Sequence, residues 1–263
     1  MIKVAQFMKA HGMDAERIDL SEYTKEFACA MRRGLAQQQK NMPMLKKGEK
    51  AIVIDAGGTN FRRALIGFDG KKAVIDCLDK RQMPGTEEPA TWNDFISGVA
   101  DCVQPLIKQT KNIGFCFSYP VEITPECDGK VLGLTKQVKI EGASGSYLGA
   151  SLRAELEKRG EQPDRIVVLN DTPATLLAGK VLSKGSYDGY IGLVAGTGCN
   201  TCCEIECDKI EKLGLSGGGK MLVNIESGSF DAFPRGDADL AMDEELPDTG
   251  EYIAEKMISG RYL

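Results

Sequence analysis

The stretch AIVIDAGGTNFRRALIGF, Ala51 to Phe68, reads as two strands joined by a glycine turn, with an aspartate closing the first strand. Apolar residues dominate both arms, and the paired glycines between them permit a tight reversal that side chains would obstruct. Working outward, Asp69-Gly70 marks a second turn and KKAVIDCL a third strand, so an antiparallel meander is expected. A turn without Cβ atoms lets backbone N–H groups approach an anion, while Thr59 and Asn60 add side-chain donors and Arg62 adds charge. Asp55 beside it suits Mg2+, which favours one or two carboxylates and keeps much of its water. Asp55, Gly57, Gly58, Thr59, Asn60 and Arg62 are therefore candidate phosphate and magnesium residues. The plain alternative is a hairpin with no ligand.

Strand and helix patterns alternate along the remaining chain, which indicates mixed α/β layers. Upstream, Asp19–Lys40 carries Phe27, Met31 and Leu35 at helical spacing, with Ser21 as its cap. Downstream, a loop at Pro84–Pro89 precedes a helix in TWNDFISGVADCVQPLI and a buried strand in NIGFCFSYP. A polar, glycine-rich excursion from Glu122 to Gly145 leads into the helix SYLGASLRAELEKRG. Next come the strand RIVVLND, a helix through TPATLLAGKVL, and the strands YIGLVAGTGCN and TCCEIECDKIEKL. VIDAGGTN and LVAGTGCN echo each other, each running an apolar strand into Gly, Thr and Asn, which suggests a duplicated core. The second turn, at Gly196 and Thr197, provides another phosphate contact, and two such turns can clasp a polyphosphate from both sides.

The chain has 263 residues, 42% hydrophobic and 27% charged, long enough for two domains with a substantial core. No apolar run approaches the roughly 20 residues of a membrane helix, and the N-terminus lacks an export pattern, so a cytoplasmic protein with no membrane partner is expected. With 33 Lys and Arg against 38 Asp and Glu, the net charge of -5 offers no general attraction to nucleic acid. Nine cysteines without a secretion signal read as reduced thiols. Cys199, Cys202, Cys203 and Cys207 lie along one expected strand, where alternate side chains face opposite ways, a poor arrangement for tetrahedral zinc.

His11 is the single histidine. Triad and HExxH chemistry therefore lack a base, and proton abstraction falls to a carboxylate. Asp171 ends the strand IVVLND beside Asn170 and is the candidate; the competing reading makes it the cap of the following helix, which the Asp-Thr-Pro order fits. GLSGGGK, Gly214 to Lys220, has P-loop glycine and lysine spacing, but Met221 stands where Ser or Thr is needed and a strand follows, so a hairpin loop is expected.

Taken together, DAGGTNFR (Asp55–Arg62), FSYP (Phe117–Pro120), LTK (Leu134–Lys136), LNDTPATLLAG (Leu169–Gly179), GTGCNTC (Gly196–Cys202), NIESGSF (Asn224–Phe230) and EKMISGRYL (Glu255–Leu263) resemble, in order, the motifs of the hexokinase family of sugar kinases. The resemblance implies the actin-like ATPase, ribonuclease H-like α/β architecture: an N-terminal helical segment over 1–46 packing on the large domain, a small domain over 47–170, and a partial large domain over 171–263. It implies a hexose, glucose above all, in the cleft, contacted by Ser118, Thr135 and Lys136 from one side and Asn170, Asp171, Asn200, Glu226 and Glu255 from the other. Asp171 then becomes the general base on the 6-hydroxyl, with Lys136 a second catalytic group. The two turns hold the phosphates of ATP, with Asp55 near Mg2+. Ser227 stands where the family commonly has Trp, and Tyr119 where it commonly has Phe. The chain stops inside a motif that the family continues, so the resemblance also implies that the adenine-holding segment falls beyond Leu263. That leaves room for a completing chain or homo-oligomer, or for a sugar-binding module without turnover.

Overall fold

The computed structural model describes residues 2–12, 21, 24, 47–58, 60–70, 72–134, 138–210 and 218–262. Most of the helix expected over Asp19–Lys40, and the candidates Thr59, Thr135 and Lys136, lie outside the described residues.

The opening stretch forms the expected hairpin, with β1 (Lys50–Ala56) antiparallel to β2 (Asn60–Phe68) and β3 (Ala73–Gln82) completing the meander. On the other side of β1, β5 (Asn112–Phe117) pairs in parallel, and β9 (Arg165–Leu169) pairs in parallel with β5. The sheet order is β3-β2-β1-β5-β9. Parallel neighbours need crossovers, and helices α2 (Trp92–Val103) and α3 (Leu148–Lys158) accompany them. Their buried faces, Phe95, Ile96, Val99, Val103, Leu148, Leu152 and Leu156, join Ile52, Ile54, Phe115, Phe117 and Val168 in one core.

Local chemistry sets the helix starts. Thr91 and Asp94 form a reciprocal capping box at α2. Tyr147 precedes α3 without a side-chain cap, and that role passes to Asp128, which accepts from the N–H groups of Gly149 at 2.6 Å and Ala150 at 2.9 Å. Asp128 belongs to the stretch expected as a glycine-rich excursion, which is partly ordered by a small hairpin of β6 (Val121–Ile123) and β7 (Gly129–Val131). Two-residue strands β4 (Ala90–Thr91) and β8 (Ile140–Glu141) pair beside it.

The second half opens with α4 (Asp171–Leu182), which packs against β10 (Ile191–Ala195) and β11 (Cys199–Glu206). With β12 (Lys220–Asn224) these form a separate antiparallel sheet, β10-β11-β12. Each of the two echoed motifs is thus a hairpin at the start of its own sheet. Cys202 packs with Leu176 and Leu222, whereas Cys207 packs with Met221 and Val223 in a different cluster. The strand distributes these thiols between separate apolar clusters. Lys220 opens β12, antiparallel to β11, while residues 211–217, including the start of the expected hairpin loop, lie outside the described residues.

Helices α5 (Asp237–Glu244) and α6 (Ile253–Ile258) close the described chain. At the other end, α1 (Ile2–Ala10) leads to His11, whose Nδ1 lies 2.8 Å from Asp237 Oδ1. No described helix is long and apolar enough to cross a membrane.

Candidate active site

Parallel pairing aligns the carboxyl ends of β1, β5 and β9, the place where open α/β sheets commonly receive ligands. The register sets Asp55 opposite Cys116, and Cys116 opposite Leu169. Ser118, Asn170 and Asp171 follow immediately after these ends. Asn170 accepts from the Thr172 N–H at 3.1 Å and is the cap of α4; Asp171 is the first helical residue. The cap reading for Asp171 therefore gives way, because its neighbour already fills that role. One Asp171 oxygen accepts from the Thr172 hydroxyl at 3.2 Å.

Cys116 fixes the relation between the two aspartates. Its pKa is pushed well above the ordinary thiol value by burial, and the charges of Asp55 and Asp171 add to the effect together with a thiol hydrogen bond to Asp55. The charges of Asp55 and Asp171 thus act on one buried thiol. The antiparallel register also places Arg62 beside Asp55, and its guanidinium donates to Asp55 Oδ2 at 2.6 Å. Arg62, expected to serve phosphate, is engaged with the carboxylate of its own hairpin.

The first glycine turn is closed by a hydrogen bond from the Gly57 N–H to the Asn60 carbonyl at 2.9 Å. The second is closed similarly, with the Gly196 N–H donating to the Gly198 carbonyl at 2.9 Å, and Thr197 lies exposed at its tip.

The remaining polar candidates converge beside the second turn. The β11–β12 ladder ends at the pair Cys202 and Asn224, and the Ile225 N–H donates to the Thr201 carbonyl at 2.9 Å just beyond it, which leaves Asn200 and Glu226 close enough for their side chains to meet. Glu226 Oε1 accepts from Asn200 Nδ2 at 3.1 Å and from Asn224 Nδ2. The backbone at Glu226 is left-handed, with φ of 56°, an uncommon conformation for a non-glycine residue and one that gathers at functional sites. Glu226 is open to solvent at the lip of the site, yet protein crowds its carboxyl. That burial raises its pKa above the ordinary glutamate value, the asparagine hydrogen bonds oppose the rise, and the charges of Asp171 and Glu255 reinforce it. Asp171, Glu226 and Glu255 therefore share one electrostatic neighbourhood.

Glu255, on α6, accepts from the Cys199 N–H at 3.1 Å. Two glycines make room for it: a Cβ on Gly198 would stand 3.0 Å from Glu255 Oε2, and one on Gly228 would stand 2.6 Å from the Cys199 carbonyl and 3.1 Å from the same Oε2. Helix α6 also leads to Gly260, whose N–H donates to the Gly196 carbonyl at 2.6 Å. One short segment thus seats a site carboxylate and braces the second turn.

Asn224 and Cys116 were not singled out from the sequence. Asn224 was legible in principle, since it lies two residues before Glu226 at the end of a strand. Cys116 carried no signal separate from the rest of its apolar strand.

A family model described as hexokinase matches residues 3–181, and a second with the same description matches 190–263. The chain belongs to the hexokinase family. It is 30% identical to a hexokinase of Schwanniomyces occidentalis across 93% of this chain and 56% of that one, and 30% identical to hexokinase-1 of Schizosaccharomyces pombe across 93% and 55%. The chain thus spans little more than half the length of these curated relatives. Among solved structures, a Schistosoma mansoni hexokinase complexed with glucose superimposes with a TM-score of 0.72 at 22% identity, covering 99% of this chain and 63% of that one. That likeness establishes the actin-like ATPase fold.

Proposed function

We propose that this hexokinase-family chain transfers the γ-phosphoryl group of ATP to the 6-hydroxyl of glucose or a similar hexose, with Asp171 as general base. The observation that carries the reading is the gathering of Asp171, Glu226 and Glu255, with Asn170 and Asn200, beside two glycine turns. Several carboxylates and amides with fixed directions suit a polyol, because each carboxylate can accept from neighbouring hydroxyls. Phosphoryl transfer chiefly needs positioning and charge neutralisation.

In this reading the 47–170 unit supplies Ser118, Thr135 and Lys136 to the sugar, and the 171–263 unit supplies Asn200, Glu226 and Glu255. Asp171 accepts the proton of the 6-hydroxyl as its oxygen attacks phosphorus, and Lys136 contributes positive charge to the transferring group. Gly57, Gly58, Thr59 and Asn60 hold the nucleotide phosphates from one side, with Gly196 and Thr197 on the other. The donor chemistry would suit hydrated Mg2+: Asp55 offers the carboxylate, already held by Arg62, and Mg2+ binds through one or two carboxylates and water. When bound, that ion neutralises phosphate charge.

The test is glucose-dependent ADP production with Mg-ATP, alongside Asp171→Asn. Turnover in the parent chain that falls by about 10²-fold or more in the variant, with fold and glucose binding retained, is the expected outcome. Unchanged turnover in the variant would remove Asp171 as the base. Glucose binding by a folded parent chain without ADP release would make it a sugar-binding module.

A further inference from the structure

The Tyr119 hydroxyl has no part in the scheme above, yet it reaches the first glycine turn. It lies 3.0 Å from the Gly57 carbonyl oxygen and 3.4 Å from that of Gly58, donating to this pair. The ring is 2% exposed and packs against Phe117 with centroids 5.0 Å apart, so the phenol has little freedom to look elsewhere. The preceding residue is tied to the same strand end, with the Ser118 N–H donating to the Ala56 carbonyl at 3.1 Å. Ser118 and Tyr119 thus grip three consecutive carbonyls, Ala56 to Gly58.

Peptide planarity gives that grip a direction. The described chain has no cis peptide, and across a trans peptide the C=O and the following N–H point in opposite directions. Holding the Gly57 carbonyl toward Tyr119 therefore turns the Gly58 N–H away from the core. Gly58 is exposed, and nothing lies within 4 Å of the place its Cβ would occupy. The amide is presented where an anion can approach it.

Resting on the phosphate-turn reading above, we propose that Tyr119 is a positioning residue for nucleotide phosphate, its hydroxyl aiming the Gly58 N–H into the site. Phenylalanine at this position keeps the ring packing and removes only the aim. Burial pushes the phenol up to about 12, so it remains a donor throughout the neutral range.

The experiment compares the parent chain with Tyr119→Phe, measuring the KM for Mg-ATP at saturating glucose, the KM for glucose at saturating Mg-ATP, kcat, and the melting temperature. The expected result is an increase of about fivefold in the Mg-ATP KM, the scale of one hydrogen bond, with the glucose KM and melting temperature nearly unchanged. An unchanged Mg-ATP KM would overturn the positioning role while leaving the kinase reading intact. Equal rises in both KM values would overturn it as well, showing general loosening of the site. If the parent chain neither turns over nor binds Mg-ATP, both readings fall, and that failure is visible without the variant.

Discussion

In the proposed function, stability and sugar binding pull in opposite directions at Glu226. Its folded-state pKa is raised, first by the protein around its carboxyl and further by the charges of Asp171 and Glu255. A raised carboxyl pKa means that the folded state favours the protonated form, so ionisation at neutral pH opposes folding. Glu226→Gln removes that charge and keeps an oxygen to accept from Asn200 and Asn224. The variant should melt about 1–3 °C higher at pH 7, a modest gain because the residue is open to solvent. The gain should fade as pH falls below the ordinary glutamate range, where both states of the parent are protonated. Glucose affinity should drop by about tenfold or more in the variant. In the parent it should weaken on acidification at a pH above the usual glutamate value. Calorimetric melting and glucose titration at pH 4 to 8 check both; a variant less stable than the parent at pH 7 would contradict the electrostatic account.

Helix α6 has only six residues, too few to be stable alone, and tertiary contacts hold it. Lys256 is 2% exposed and lies between two carboxylates, at 2.6 Å from Asp243 and 3.3 Å from Asp248. Its hydrogen bond lowers the Asp243 pKa; at Asp248 burial pushes upward but is outweighed by hydrogen bonds from Tyr262 and Lys256. Carboxyls with lowered pKa values support the fold above the ordinary aspartate value, and that support is lost as pH falls through their folded values. Lys256→Met removes the buried cation that the two carboxylates share, leaving Asp243 to Arg235 and Asp248 to Tyr262, and should lower the melting temperature by on the order of 5 °C at pH 7. The deficit should narrow toward pH 3, as a thermal-shift series will record. This network was not legible in the sequence, because Asp243, Asp248 and Lys256 meet only through tertiary packing. The same holds for Asp128 capping a helix two strands away in the chain. The hairpins and the β1-β5-β9 ends were legible, since apolar strands running into Gly, Asn-Asp or a proline betray themselves locally. Asp171 could be placed at a strand end from its sequence, but only the structure showed Asn170 taking the cap.

Across the whole molecule, the two sheets meet through α4. It leaves the end of β9 with Asp171 as its first residue and packs onto β10 and β11, so the proposed base sits where the two halves join. Beyond it, α6 carries Glu255 toward the proposed sugar and Gly260 toward the second phosphate turn. A ligand that draws these parts together also orders the surface that receives the other. In the proposed function, glucose should therefore tighten Mg-ATP binding by a factor in the range of about 5–150, as site-to-site coupling commonly does. Thermodynamic linkage then requires Mg-ATP to tighten glucose binding by the same factor. The measurement is a pair of calorimetric titrations with the Mg2+ complex of a non-hydrolysable ATP analogue in place of Mg-ATP, so that no turnover intervenes: the analogue with and without saturating glucose, and glucose with and without the saturating analogue. Matching factors above one would establish that the sugar and phosphate walls act as one closing unit. Factors of one in both directions would mean that the walls are set rigidly before either ligand arrives, and exclusion of water would then have to come from shape alone.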